Sequence, residues 1–137
     1  MTDRSAAPAD RLRALLDRAH APYSGVRVAC AVEGPDGGLH FGVNVENAAY
    51  PQGLCAEAGA IAAAVTAGVT DLRRIYIACS LEEPAWPCGG CRQKIWEFAA
   101  PGCEVVTYAA DGTPSRQTIE ALLPDGFRLD PARVRRA

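Results

Sequence analysis

Apolar and polar positions change rhythm several times along this chain, and each change predicts an element. From Pro8 to His20, Leu12, Leu15, Leu16 and Ala19 recur at the three- and four-residue spacing of a helix face, and Pro22 closes the helix. Val26 to Val32 reads as a strand. The turn Gly34-Pro35-Asp36-Gly37-Gly38 follows, and Leu39 to Val45 reads as a second strand, so the two form a hairpin. Asn44 to Gly53 is a loop broken by Pro51 and Gly53. A second helix is predicted from about Cys55 to Ala67, with Ala58, Ile61, Ala62 and Val65 as a narrow buried face and Gly68 at the left-handed stop. Leu72 to Cys79 is nearly all apolar, which predicts a central strand covered on both faces. After a loop over Leu81 to Pro87, a third helix covers about Gly89 to Ala99 and ends before Pro101. Glu104 to Ala109 is a fourth strand, Asp111-Gly112 a tight turn and Ser115 to Thr118 a short fifth strand. One helical turn over Ile119 to Leu123 stops at Pro124, and Arg128 to Ala137 reads as a frayed, Arg-rich tail. The order predicts an α/β layered domain with a mixed five-stranded sheet. Its last two strands, joined by a short turn, should be antiparallel.

Length and composition narrow this picture. A chain of 137 residues suits one domain, 1–137, with flexible ends over about 1–7 and 130–137. Hydrophobic residues make up 49% and charged residues 22%, ordinary for a globular protein able to bury a core without staples. No uncharged apolar run reaches the ~18 residues of a membrane helix. The start, Met1 to Asp10, has no apolar stretch of the secretory kind, so a cytoplasmic location is expected. A net charge of −2 argues against a nucleic-acid partner.

The six cysteines divide into two groups. Cys30, Cys79 and Cys103 sit in strand-like apolar runs, where a free thiol behaves as a small hydrophobe. Cys55, Cys88 and Cys91 stand at predicted helix starts. Cys88 and Cys91 share one face of a first helical turn, half of a tetrahedral zinc site. Gly89 and Gly90 allow close approach, and helix N-termini favour thiolates. Cys55 supplies a third sulfur, and no fourth Cys or His lies near either motif. Three protein ligands leave one position for water, the arrangement of a catalytic zinc, with one ion per chain. Glu57, two residues after a ligand, leans back toward the site, where a carboxylate can pass a proton from zinc-bound water to a substrate nitrogen.

This pattern is that of zinc deaminases with three cysteines. The chain resembles the small zinc-dependent cytidine deaminases from Pro22-Tyr23-Ser24 to Leu122-Leu123-Pro124-x-x-Phe127. The specific stretches are Asn44-Val45-Glu46-Asn47-Ala48-Ala49-Tyr50, Cys55-Ala56-Glu57 and Pro87-Cys88-Gly89-Gly90-Cys91-Arg92-Gln93. The resemblance implies a three-layer α/β/α fold and hydrolytic deamination of cytidine or 2′-deoxycytidine in pyrimidine salvage. By resemblance, Asn44 and Glu46 bind ribose hydroxyls, the Ala56 backbone contacts the pyrimidine and Glu57 shuttles protons. It further implies that Val26 takes a position lining the base pocket and Tyr50 one near a subunit contact. Phe127 corresponds to an aromatic placed over a neighbouring subunit's base, within a homotetramer whose active sites are shared.

Three departures are visible. Ala58 stands where the family commonly has Arg, which helps offset thiolate charge; Val26 replaces a pocket Phe; Ala29-Cys30 stands where Gly-Ala is usual. Arg92 is shared with the family and is no new compensator. The Val26 change keeps open the same chemistry on another aminopyrimidine nucleoside, a blasticidin-type antibiotic or a modified cytidine. Polynucleotide deamination is disfavoured by the charge. A non-catalytic zinc module would waste the open position and Glu57, and a Cys88/Cys91 redox pair predicts a disulfide and no metal. His20 and His40 are tied to no cysteine by any motif and are expected at the surface or an edge.

Overall fold

The computed structural model describes residues 6–133; residues 1–5 and 134–137, for which the sequence predicts flexible ends, lie outside the described residues. Five strands form one mixed sheet: β1 (Val28–Glu33), β2 (Leu39–Val43), β3 (Leu72–Cys79), β4 (Ala99–Tyr108) and β5 (Pro114–Thr118), in the order β2-β1-β3-β4-β5. Only the β3–β4 pair is parallel; β1–β2, β1–β3 and β4–β5 are antiparallel. α1 (Ala6–Leu15) covers one face, and α2 (Ala56–Thr66), α3 (Gly89–Phe98) and the short α4 (Ile119–Leu122) cover the other, giving three layers. Among the described residues no helix is long and apolar enough to cross a membrane.

Side-chain alternation along the strands builds two cores. Cys30, Val32, Ile75, Ile77 and Val105 point toward α2 and α3, where Ala60, Ala64 and Ile95 meet them. Ala29, Ala31, Tyr76, Ala78 and Val106 point the other way, onto Ala9 and Leu12 of α1. β3 is therefore buried on both faces, as its unbroken apolar run predicts. Cys30, Cys79 and Cys103 are all buried in strands as small hydrophobes. Burial pushes the thiols of Cys30 and Cys103 up, the latter to about 12.

Three boundaries differ from the sequence reading for identifiable reasons. β1 begins at Val28, not Val26, because side chains take the backbone groups a ladder would use. The Asn44 Nδ2 donates to the Val26 carbonyl at 2.8 Å, Val26 N–H donates to Ser24 Oγ and Arg27 N–H donates to Ser80 Oγ. α1 closes through a single 3-10 turn at Leu16–Arg18, ahead of Pro22. β4 starts five residues before the expected Glu104: its pairing with β3 shifts register between Leu72 and Arg74, and Pro101 and Gly102 lie within the irregular stretch.

The buried face of α2 also differs. Ala56, Glu57, Ala60, Ile61 and Ala64 are buried, whereas Ala62 and Val65 are exposed and Ala58 is half-buried. An alanine-rich helix is apolar nearly all round, so periodicity does not choose its face; close contact does. A Cβ on Gly42 of β2 would lie 2.3 Å from Ala60 N and 2.5 Å from Ala56 O. Only glycine lets strand and helix backbones approach this closely. That contact rotates Ala56, Ala60 and Ala64 inward and carries Glu57 with them. At the far end Gly68, with φ of 84°, ends the helix in the left-handed conformation.

Arg128, where the sequence predicts a frayed tail to begin, is firmly held, and residues 134–137 of that tail lie outside the described residues. The Arg128 guanidinium lies 4.8 Å over the Trp96 ring and donates to the Trp96 carbonyl. Gly126 packs so tightly on the same indole that a Cβ would approach it to 2.9 Å.

Candidate active site

Two helix N-termini converge on one point. Cys55 caps α2 and Cys88 caps α3, both in extended backbone conformation. The first backbone N–H groups of each helix have no intrahelical acceptor, so both ends present partial positive charge to the sulfurs. Cys91 follows Cys88 within the first turn of α3 and is buried, while Cys55 and Cys88 are exposed. The three Sγ atoms all lie within 4.8 Å of one another. Sulfurs on a tetrahedral zinc are roughly 3.8 Å apart for a bond of about 2.3 Å, so the spacing and the soft donor set fit that metal.

The three thiols differ electrostatically. A backbone hydrogen bond from Cys91 holds the Cys88 thiol below its usual range. Desolvation raises Cys55, and desolvation together with the Glu57 carboxylate pushes Cys91 far up. A bound divalent cation reverses this logic, since a ligating thiol is deprotonated outright. Glu57 itself is buried, and Cys91 Sγ donates to its Oε2 at 3.5 Å. One carboxylate therefore sits against the sulfur cluster, within reach of whatever occupies a fourth ligand position.

Above the sulfurs opens a cavity of about 410 Å³. Seven of the sequence-predicted residues line it: Asn44, Glu46, Tyr50, Cys55, Ala56, Glu57 and Cys88. Cys91 lies in the sulfur cluster rather than on this wall. Val26 and Phe127 are not among the lining residues. Val28, Trp86 and Leu54 are, and sequence reasoning missed them. Trp86, an aromatic just before Pro87-Cys88, carried a readable signal. Val28 did not, because its place depends on where β1 starts.

The polar end of the cavity is held by its own loops. Asn44 Oδ1 accepts from Val28 N–H at 2.8 Å while its Nδ2 donates to Val26. One lone pair and one N–H of the amide remain for a ligand. The Glu46 carboxylate accepts from Tyr23 N–H and Ser24 N–H at 2.9 and 3.1 Å and from the Ser24 hydroxyl. The Ser24 hydroxyl, then the Tyr23 amide, hold its carboxyl below the usual range. Tyr23 and Tyr50 meet edge to face with centroids 5.9 Å apart. Arg92, of the Cys-Arg-Gln motif, donates to the carbonyls of Pro87 (2.7 Å) and Leu122 (2.9 Å), bracing the loop that leads into Cys88. Gln93 donates to the Phe127 carbonyl at 2.8 Å and leaves that ring exposed. His40 lies on edge strand β2 and His20 is exposed, its backbone bridging to Val45; neither lines the cavity.

Comparison with known proteins agrees with this geometry. A family model described as "Cytidine and deoxycytidylate deaminase zinc-binding region" matches residues 8–108. The cytidine deaminase of Sporosarcina psychrophila is 36% identical over 111 residues, 81% of this chain and 82% of that protein. That of Mycoplasma pneumoniae is 36% identical over 120 residues, 86% and 90% of the two chains. A crystal structure of cytidine deaminase from Burkholderia pseudomallei superposes with a TM-score of 0.82 at 36% identity, covering 93% of this chain and 100% of that one.

Proposed function

Since the chain belongs to the cytidine and deoxycytidylate deaminase zinc-binding family, and is thus a hydrolytic deaminase with zinc as its cofactor, we propose that it converts cytidine and 2′-deoxycytidine with water to uridine and 2′-deoxyuridine plus ammonia. One observation carries this reading: a buried carboxylate, Glu57, in contact with one of three clustered cysteine sulfurs at the floor of a nucleoside-sized cavity. Cys55, Cys88 and Cys91 would hold the metal. When bound, zinc supplies Lewis acidity that makes water a nucleophile near neutral pH.

The chain's own residues do the rest. Glu57 takes one proton from the attacking water and delivers it to ring N3, then takes the second from the hydroxyl now on C4 and delivers it to the amino group, which departs as ammonia while the C4 carbonyl forms. Its burial keeps this exchange away from bulk water. The N-terminal backbone of α2 at Ala56 faces the base, and Val28 and Trp86 supply its apolar walls. Asn44 offers one remaining donor and one acceptor to a ribose hydroxyl, and Glu46, already oriented by Tyr23 and Ser24, accepts from another. Tyr50 borders the open mouth.

A homotetramer with shared active sites suits the same surface. Phe127 is 66% exposed although its backbone is pinned by Gln93 between Gly126 and Arg128, both docked on Trp96. Such an aromatic is positioned to serve a neighbour's cavity. Val45, Tyr50 and Leu54 around the mouth are likewise exposed. A cytoplasmic setting, where the six free thiols stay reduced, and a place in pyrimidine salvage complete the reading.

One observation favours a second substrate. Through Glu46, Tyr50 and Gly53 the cavity adjoins another hollow of about 380 Å³, room for a group attached beyond the ribose, as in a blasticidin-type nucleoside. A panel of cytidine, 2′-deoxycytidine and such extended nucleosides, followed by loss of absorbance, separates the two. Preference for the simple nucleosides supports the main reading, and preference for the extended one overturns it.

A further inference from the structure

The charge balance of the site lacks a counter-ion. Three thiolates and Zn²⁺ sum to −1, and Glu57 adds another negative charge. The cavity lining contributes Glu46 as well and no cationic side chain. Arg92, the nearest cation in sequence, spends its guanidinium on the Pro87 and Leu122 carbonyls.

Lys94 is placed differently. It is the only lysine in a chain whose other thirteen basic residues are arginine. Its side chain folds back one turn along α3, so that a Cβ on Gly90, between Cys88 and Cys91, would lie 3.7 Å from Nζ. The ammonium thus sits over the first turn of a helix, the end whose dipole repels a cation. Among the described residues no side chain forms an ion pair or hydrogen bond with it, although Glu97 lies in the same groove. That groove lies between α2 and α3, the two helices that carry the sulfurs, and is also lined by Ala58, the residue after Glu57. A cation at the wrong end of a helix is offset if a stronger negative source lies beside it, and the zinc thiolate cluster is that source.

We propose that Lys94 is a positioning residue for the metal centre, supplying the positive charge that stabilises the tri-thiolate zinc site. This rests on the zinc deaminase reading above. A loaded site gathers three thiolates around one divalent ion, a cluster of net charge −1, so a nearby cation favours the loaded state.

The test is zinc affinity of the full chain, by competition with a chromogenic chelator at low and at high salt, without substrate. Lys94→Met should weaken zinc binding roughly 3- to 30-fold at low salt, and Lys94→Glu should weaken it more. Lys94→Arg should stay within about twofold of wild type. Near 1 M salt, where the screening length is about 3 Å, the Met variant should approach wild type. Ala58→Arg in the Met background, placing a guanidinium in the same groove, should restore affinity. Unchanged affinity of Lys94→Met at low salt overturns the proposal, as does a loss that salt does not reduce, which would mark packing rather than charge. Wild-type chain that binds no zinc would instead overturn the parent reading.

Discussion

The two ends of the cavity are built by opposite means. The sulfur end rests on α2 and α3, with Cys91, Glu57 and Ala56 buried and the α2 backbone locked against β2 through Gly42. The far end consists of loop residues: Glu46 tied to Tyr23 and Ser24, an exposed tyrosine pair, and Asn44 bracing the approach to β1. The difference separates two tasks. Proton transfer at a metal tolerates little displacement and sits on rigid elements; recognition of the sugar and of any extension is left to adjustable loops and to what a neighbouring copy brings.

Breaking the rigid end should have the largest effect. Cys88→Ala should lose zinc and turnover together, read by metal analysis and a deamination assay on one preparation; a fully metallated, active variant would contradict the ligand set. Glu57→Gln should keep its zinc and lose roughly 10²–10⁴-fold in rate, because only the proton shuttle is removed. Near-normal turnover would remove Glu57 from the chemistry. Gly42→Ala tests the support behind that end. The new methyl must displace helix backbone, so stability should fall by about 1–3 kcal/mol in denaturant titrations, with weaker zinc binding as α2 moves. A folded variant of unchanged stability would show that the close approach does not position α2.

The loop end should respond more mildly. Glu46→Gln should raise KM for cytidine by about tenfold, one charge-assisted hydrogen bond, with a smaller change in kcat. Its acid limb carries a second signature. The folded-state pKa of Glu46 is depressed, so its anchoring of the Tyr23–Ser24 loop is full above the ordinary glutamate value and lost as pH falls through the lower, folded value. The Gln variant should lack that acid-side dependence of KM, which a pH series on both proteins reads directly.

The same contrast explains what the chain made legible. The zinc end is written in short-range spacing: Cys88 and Cys91 share a helical turn, Cys55 and Glu57 another, and each follows a loop that ends in a helix start. Strand β3 was equally plain, since burial on both faces leaves an unbroken apolar run. The loop end and the orientation of α2 depend on long-range contacts. Nothing local says that the Asn44 amide takes the Val26 carbonyl and delays β1 to Val28, making Val28 the residue that lines the cavity. The alanines of α2 offer no preferred face until Gly42 chooses one. Arg128 looked like part of a polar tail because its partner, Trp96, lies on another element. Val26 and Phe127 belong to this second class: a single chain's cavity holds neither.

The most direct test of the central claim is to determine zinc per chain and cytidine turnover on the same wild-type sample. The account predicts about one zinc and steady conversion of cytidine to uridine with release of ammonia. Fully zinc-loaded protein that turns over neither cytidine nor 2′-deoxycytidine would contradict it.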